Sequence, residues 1–163
     1  METDNYNYKS IELNLSNRNL TSLPDGIDKY TNLEILNCGS NKIKNLDNLP
    51  PNLKKLACTF NKITNLDNLP ISLKILGCSH NKITNLNFLP PNLEVLICDG
   101  NRLTSLDNLS LTIKNLSCCY NQITSLNNLP PSIQILACYG NPLIYDFDPT
   151  PENIRIYKAS RNL

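Results

Sequence analysis

The chain has 163 residues, of which 15 are basic and 14 acidic, so its formal net charge is +1. This balance argues against a dedicated nucleic-acid-binding or membrane-surface protein, unless the charges are sorted by face. No apolar run approaches the ~20 residues that a membrane-spanning helix needs.

Residues 1–10 form a polar arm without the apolar segment of a signal peptide. The seven cysteines are odd in number, and their spacing follows a sequence repeat rather than a disulfide framework. Both observations predict a protein of a reducing compartment, and we therefore expect a cytoplasmic, non-secreted location.

Residues 11–35 are predicted to form a first repeat of 23 residues, longer than those that follow. Arg18 takes the place that Asn41 holds in the next repeat. The extra residues fall within 25–30, where apolar residues recur with helical spacing, so a short helical turn is predicted there.

Residues 36–135 contain five repeats of 20 residues, which predicts a stacked array. Each reads Leu-x-Cys-x-x-Asn-x-Ile/Leu-x-x-Leu-x-x-Leu-Pro, with one departure at Ser110. The alternation of Leu36 and Cys38 predicts a short strand with both side chains pointing inward. Strands in successive repeats run the same way and therefore form a parallel sheet. The prolines predict an extended, polyproline-like convex side.

Residues 136–163 are predicted to hold a 21-residue repeat and a terminal half-repeat. Ile154 and Tyr157 follow Ile133 and Leu136 by 21 positions, which predicts an eighth strand. The expected fold is an α/β-type solenoid that is mostly β. It is a right-handed superhelix with one parallel sheet of about eight short strands and little helix.

The repeated letters of residues 73–90 resemble the leucine-rich repeat family. The 20-residue unit with its Leu-Pro close is similar to the repeats of secreted bacterial effectors. The composition of the repeats, rich in Asn, Lys and Ile with Cys inside the strand, resembles that of proteins of mimivirus-type giant viruses. This resemblance implies a horseshoe-like solenoid that binds a protein on its concave strand face, without chemistry of its own. If the protein is viral, the expected location is the host-cell cytoplasm.

Cysteine forms one column along the array. A chain of metal ions or redox thiols would be the functional interpretation, but a metal needs ligands that converge on one point rather than a line. Free cysteine is also among the most buried residue types, so packing is the favoured interpretation. The column comprises Cys38, Cys58, Cys78, Cys98, Cys118 and Cys138.

Asparagine forms a second column three residues later. An inward Asn can satisfy backbone groups of the adjacent bend, which a buried repeat cannot leave unpaired. We therefore interpret the column as structural. It comprises Asn41, Asn61, Asn81, Asn101, Asn121 and Asn141.

The outward strand positions do not repeat faithfully, and they are apolar for a solvent-facing surface. Such a patch is typical of a binding site, and Tyr is a preferred anchor, although strand propensity alone also favours these residues. The sequence thus predicts a scaffold that binds an unidentified protein, with no enzyme activity, cofactor or metal. The candidate contact residues are Phe60, Ile75, His80, Val95, Ile97, Asp99, Tyr120 and Tyr139.

Three other functions have some support in the sequence. A Cys119–His80 enzyme fails because the predicted strand spacing separates the pair by ~10 Å, and Cys119 is expected to be an exposed thiol without a role. Basic columns near Lys42 and Lys54 could track phosphates, but a parallel acidic column partly cancels them, so nucleic acid is unlikely. A structural module that stacks end to end through an open terminal strand is the main alternative to a monomeric scaffold.

Overall fold

The computed structural model of the protein describes residues 9–161. Within them, seven three-residue strands form one parallel sheet in sequence order, so the predicted solenoid is confirmed. Each strand pairs with the next at the same repeat position, as Leu36 does with Leu56 and Leu76. The strands are β1 (Glu12–Asn14), β2 (Ile35–Asn37), β3 (Lys55–Ala57), β4 (Ile75–Gly77), β5 (Val95–Ile97), β6 (Asn115–Ser117) and β7 (Ile135–Ala137).

The core is a continuous column of apolar side chains that runs through the stack. The central Leu of each strand points inward, as does the residue two positions later, which is Leu15 after β1 and Cys after β2 to β7. Leu56 and Cys58 are fully buried. From the opposite side, Ile63 and Leu66 close the same layer. Each repeat therefore buries its apolar face against its neighbours, which explains why the pattern recurs with so little change.

The convex side turns without a helix in any 20-residue repeat. The chain turns at a position whose backbone φ is about +60° and then passes through Leu-Pro. Asn48, Asn68 and Asn108 hold this left-handed conformation with φ of 59°, 62° and 65°, and Asn tolerates it better than most residues. In the first repeat, a short 3-10 helix at Ile27–Lys29 lies within the predicted helical turn.

The prediction of an eighth strand is wrong, because the terminal half-repeat is helix α1, Pro151–Arg161. The local sequence favours a helix start: Pro151 lies at its beginning, where its missing N–H costs nothing, and the Thr150 hydroxyl accepts a hydrogen bond from the Asn153 backbone N–H at 3.2 Å. Glu152 in the first turn and Lys158 in the last turn suit the helix dipole.

Helix α1 packs against the last repeat. Ile154 is buried, and the Arg155 guanidinium donates to the Ile133 carbonyl at 2.8 Å. Tyr145 packs edge-on against Tyr157 of the helix, with ring centroids 5.1 Å apart. No helix among residues 9–161 has the length and apolar character to cross a membrane.

The Asn column ties each bend to the repeat before it. The Asn81 amide donates to the carbonyls of Cys58 and Cys78, both at 3.0 Å, and its oxygen accepts from the Ile63 backbone N–H at 3.0 Å. Asn61, Asn101 and Asn121 make the equivalent bonds. The structural interpretation of the column is therefore confirmed.

Asn81→Ala should destabilise the protein far more than Lys82→Ala. The first change leaves a buried N–H and two buried carbonyls without this partner and should cost about 3 kcal/mol. The second removes an exposed side chain and should stay within about 0.5 kcal/mol. Urea unfolding of the two variants measures the difference, and equal losses would contradict a structural role for the Asn column.

Candidate protein-binding face

The outward side of the sheet, together with the bend after each strand, forms one surface that we call the strand face. It corresponds to the concave face expected from the sequence. Phe60, Tyr120 and Tyr139 are 56%, 60% and 63% exposed there. All eight candidate residues lie on the strand face: His80 and Ile97 are exposed, and the half-buried ones are Ile75, Val95 and Asp99.

Each bend contains a residue in the left-handed conformation, just before the column Asn. Phe60, His80 and Tyr120 have φ of 57°, 53° and 53°. Gly100 and Gly140 occupy the same position in other repeats with φ of 62° and 70°. The bend geometry is thus shared, whereas the large rings are confined to some repeats.

The rings lean along the array onto the next repeat. Phe60 and His80 stack with centroids 4.3 Å apart and planes 2° from parallel. A Cβ on Gly100 would lie 2.7 Å from the His80 ring, and one on Gly140 would lie 2.5 Å from the Tyr120 ring. Glycine at these two bends therefore serves both the left-handed backbone and the close approach of a ring.

Tyr120 and Tyr139 form a second aromatic pair. Their centroids are 5.0 Å apart and their planes are nearly perpendicular, an edge-to-face arrangement that aromatic pairs favour. The strand face thus carries two ring pairs, with Val95 and Ile97 of β5 in the one repeat between them.

Asp99 is held by its own neighbours. Its carboxylate accepts hydrogen bonds from the Ser117 hydroxyl and the Cys119 backbone N–H, both at 2.7 Å. Its backbone N–H donates to the Ser79 hydroxyl at 3.1 Å. These bonds give Asp99 a structural part in linking three repeats, in addition to its partial exposure.

The expectation that Cys119 is an exposed thiol is wrong, since only 1% of the residue is exposed. Ser79, at the equivalent position, is buried too. At these two repeats the residue after the column Cys therefore turns under the bend, whereas Tyr139 at the same position of the last repeat is exposed. The Cys119 thiol lies close enough to Tyr139 to raise the pKa of that phenol. Two repeats separate Cys119 from His80 along the array.

The column cysteines are free thiols inside the core. Burial raises the pKa of Cys38 and of Cys78 from 9.0 to about 12. Among residues 9–161, no three His, Cys, Asp or Glu side chains converge in a group that could hold a metal ion. The packing interpretation of the column fits this environment.

Charge is distributed unevenly around the strand face. At the start of the strands, Lys54 pairs with Glu34, while Lys74 and Lys114 flank Glu94 at 3.7 and 3.0 Å. Beyond the bends, the cations make no ion pair with any residue in the described part of the chain. These cations are Lys42, Lys62, Lys82 and Arg102.

A scan against protein-family models finds no match, and a search of curated proteins finds no significant match. Solved structures do resemble the chain. YopM from Yersinia enterocolitica WA-314 is 36% identical with a TM-score of 0.76, over 84% of this chain and 30% of that one. A Shigella effector LRR domain is 29% identical with a TM-score of 0.70, over 93% and 76%.

The functional domain of InlJ from Listeria monocytogenes, which includes a cysteine ladder, is 31% identical with a TM-score of 0.62. That match covers 85% of this chain and 36% of the InlJ chain, so the present chain is much shorter than InlJ or YopM. The 20-residue sequence repeat, the parallel sheet and the similarity to these solved structures identify the chain as a leucine-rich repeat protein. Its short units resemble those of the bacterial effectors. The likeness supports a general role as a protein-interaction scaffold. The giant-virus origin stays a prediction.

In the native protein, all seven thiols should react slowly with a thiol reagent at pH 8, because every cysteine is buried. Unfolding in urea should expose all seven thiols to the reagent at the same time. The absorbance after addition of dithionitrobenzoate measures how many thiols have reacted. One thiol reacting at the rate of a free cysteine would contradict the burial of Cys119.

The free energy of unfolding should fall between pH 9 and pH 12. Folded Cys38 and Cys78 keep their protons up to about pH 12, whereas the unfolded chain loses them above pH 9.0. The folded state binds more protons in this window, so stability decreases as pH rises. Urea midpoints at pH 8 and pH 10.5 test this. A Cys38→Ala, Cys78→Ala variant lacks both thiols and is the control, and its midpoint should shift less between the two pH values.

Proposed function

We propose that this chain is a non-enzymatic scaffold that binds a partner protein on its strand face. One observation carries the proposal. Phe60, His80 and Tyr120 place large, exposed rings on left-handed backbone, whereas other repeats make the same bend with a small residue: Ser40, Gly100 or Gly140.

The rings are not required for folding. A left-handed conformation costs a non-glycine residue about 1–2 kcal/mol, and an aromatic contact such as the Phe60–His80 stack returns about 0.5–1.5 kcal/mol. The solenoid therefore gains little from these rings, since Gly100 and Gly140 close the same bend. Strained residues of this kind concentrate at functional sites.

The surroundings of the rings suit a protein partner. Val95 and Ile97 supply apolar area between the two ring pairs, and Ile75 adds to it in the repeat of His80. Tyr120 and Tyr139 can act as anchors. The stacked leucine core holds these groups in fixed positions, which lowers the ordering cost of association.

The unpaired cations beyond the bends indicate the charge of the partner. Lys62 and Lys82 follow the bends of Phe60 and His80 by two residues, and Arg102 follows the Gly100 bend in the same way. None of the three has a neutralising partner among residues 9–161. An acidic surface beside the apolar contacts would complement them and speed association. The apolar strand residues favour a protein over a nucleic acid.

We propose a cytoplasmic setting, in the host cell if the protein is viral, because seven free cysteines suit a reducing compartment. We propose a monomer. The alternative of stacking through an open eighth strand loses its basis, since helix α1 stands in that place and packs on the last repeat.

Combined Phe60→Asn, His80→Asn and Tyr120→Asn should abolish partner binding while the melting temperature stays level or rises. Asn accepts left-handed backbone, so the fold keeps its bends. Affinity capture from a cell lysate with quantitative mass spectrometry measures binding, and calorimetry measures melting.

Ile144→Asn is the control, because it exchanges another large apolar side chain, 72% exposed, that lies outside the strand face. It should keep the partner that the triple variant loses. If the triple variant captures the same proteins in the same amounts as the natural chain, the strand-face proposal is wrong.

A further inference from the structure

The convex side carries three large apolar side chains that break the repeat pattern. Ile71, Phe88 and Leu111 are each 76% exposed. Ile71 and Leu111 stand where other repeats have Pro51, Pro91 and Pro131. Phe88 stands where the other repeats have Asn48, Asn68, Asn108 and Asn128. We call these three residues the convex patch.

The three residues lie in consecutive repeats. Ile71 and Leu111 flank Pro91 by one repeat on either side, and the Ser110 hydroxyl donates to the Pro91 carbonyl at 2.8 Å, so these turns are in contact. Phe88 lines an open groove of about 490 Å³ together with Asp67, Asn68 and Leu69.

Phe88 has no structural reason to occupy its position. Its φ of 62° equals that of Asn68, in a conformation that suits Asn and strains an aromatic residue. Its ring is mostly exposed and so recovers little energy by burial. As on the strand face, a strained and exposed ring replaces the residue that folding prefers.

The charge beside Phe88 is acidic, while the nearest cations on the far side of Ile71 and Leu111, Lys74 and Lys114, both pair with Glu94. Asp67 and Asp107 flank Phe88 in the two adjacent repeats, are exposed, and form no ion pair with any described residue. Asp107 accepts a hydrogen bond from the neutral amide of Asn128, which leaves its charge in place. Neither Lys nor Arg occurs in residues 64–72, 84–92 or 104–112.

We infer that the convex patch is a second docking site, which binds a basic and apolar segment of a partner protein. A Lys or Arg of that segment can lie over the Phe88 ring and pair with Asp67 or Asp107. Its apolar side chains cover Ile71 and Leu111. The site is independent of the strand face and gives the scaffold a contact of opposite charge on its other side.

The acidic flanks disfavour the two other occupants of an exposed apolar patch. An anionic membrane surface would be repelled by Asp67 and Asp107. A second copy related by a two-fold axis would bring Asp67 and Asp107 of both chains into one interface, and residues 64–72, 84–92 and 104–112 offer no Lys or Arg to pair with them. A basic segment would not be repelled by these carboxylates.

The test is a selection from a random peptide display library on the natural chain. The comparison protein carries Ile71→Pro, Phe88→Asn and Leu111→Pro, which restore residues found in the same columns of other repeats, so it should fold with at least equal thermal stability. Peptides that bind only the natural chain should carry net positive charge and apolar residues.

A synthesised peptide from this selection should bind the restored variant about tenfold more weakly or worse, and its affinity should fall with added salt. The strand-face triple variant should bind it as the natural chain does, which separates this site from the proposed function. The inference is overturned if no peptide distinguishes the two proteins, or if the distinguishing peptides are neutral or acidic. Concentration-dependent self-association that the restored variant lacks would overturn it in favour of a second copy.

Discussion

The asparagine ladder is the interaction on which the rest of the structure depends. A solenoid bends its backbone sharply after every strand, inside a core that water does not reach, so the polar groups of each bend need internal partners. One side chain supplies them: Asn81 donates to carbonyls in two successive repeats and accepts an N–H from the start of the convex segment. The same bonds that close a bend therefore also join neighbouring repeats.

This arrangement separates the positions of the repeat into those whose side chain is determined by the fold and those whose side chain can vary. Leu, Cys, Asn and the convex Leu are fixed by packing and by the ladder. The residue before each Asn is fixed only in its left-handed backbone, and its side chain is free to vary. The strand face uses this position at His80, and the convex patch uses a second left-handed position of the repeat at Phe88. In each case a ring replaces the residue that the backbone prefers, and the ring faces solvent.

The sequence predicted the sheet and the ladder because both follow from spacing. A repeated Leu-x-Cys has a period of two, and an inward Asn three residues later has few roles other than satisfying the bend. The helix at the chain end was missed because Ile154 and Tyr157 fit a helix as well as they fit the 21-residue offset. The Pro149-Thr150-Pro151 start was the overlooked signal. The burial of Cys119 was missed because alternation along the strand was extended one residue too far, into the bend.

The strained rings were overlooked although the sequence contained a signal for them. Gly100 and Gly140 mark one left-handed column, and Asn48, Asn68 and Asn108 mark the other, so any ring in those columns departs from the residue that the conformation favours. The convex patch is found by the same comparison between repeats, extended to the column in which Ile71 and Leu111 replace proline. These residues do not identify the partner, because the strand face determines which kinds of side chain it can contact and not the sequence of the protein that carries them.

Native-state hydrogen exchange of Asn81→Ala tests the ladder most directly. The Ile63 backbone N–H bonds to the Asn81 side chain, whereas the Ile123 N–H bonds to Asn141 at the far end of the array. The ladder predicts that Ile63 loses most of its protection while Ile123 keeps its own under conditions where the variant stays folded. Unchanged protection at Ile63 would show that the bends hold without their asparagines and would contradict the account.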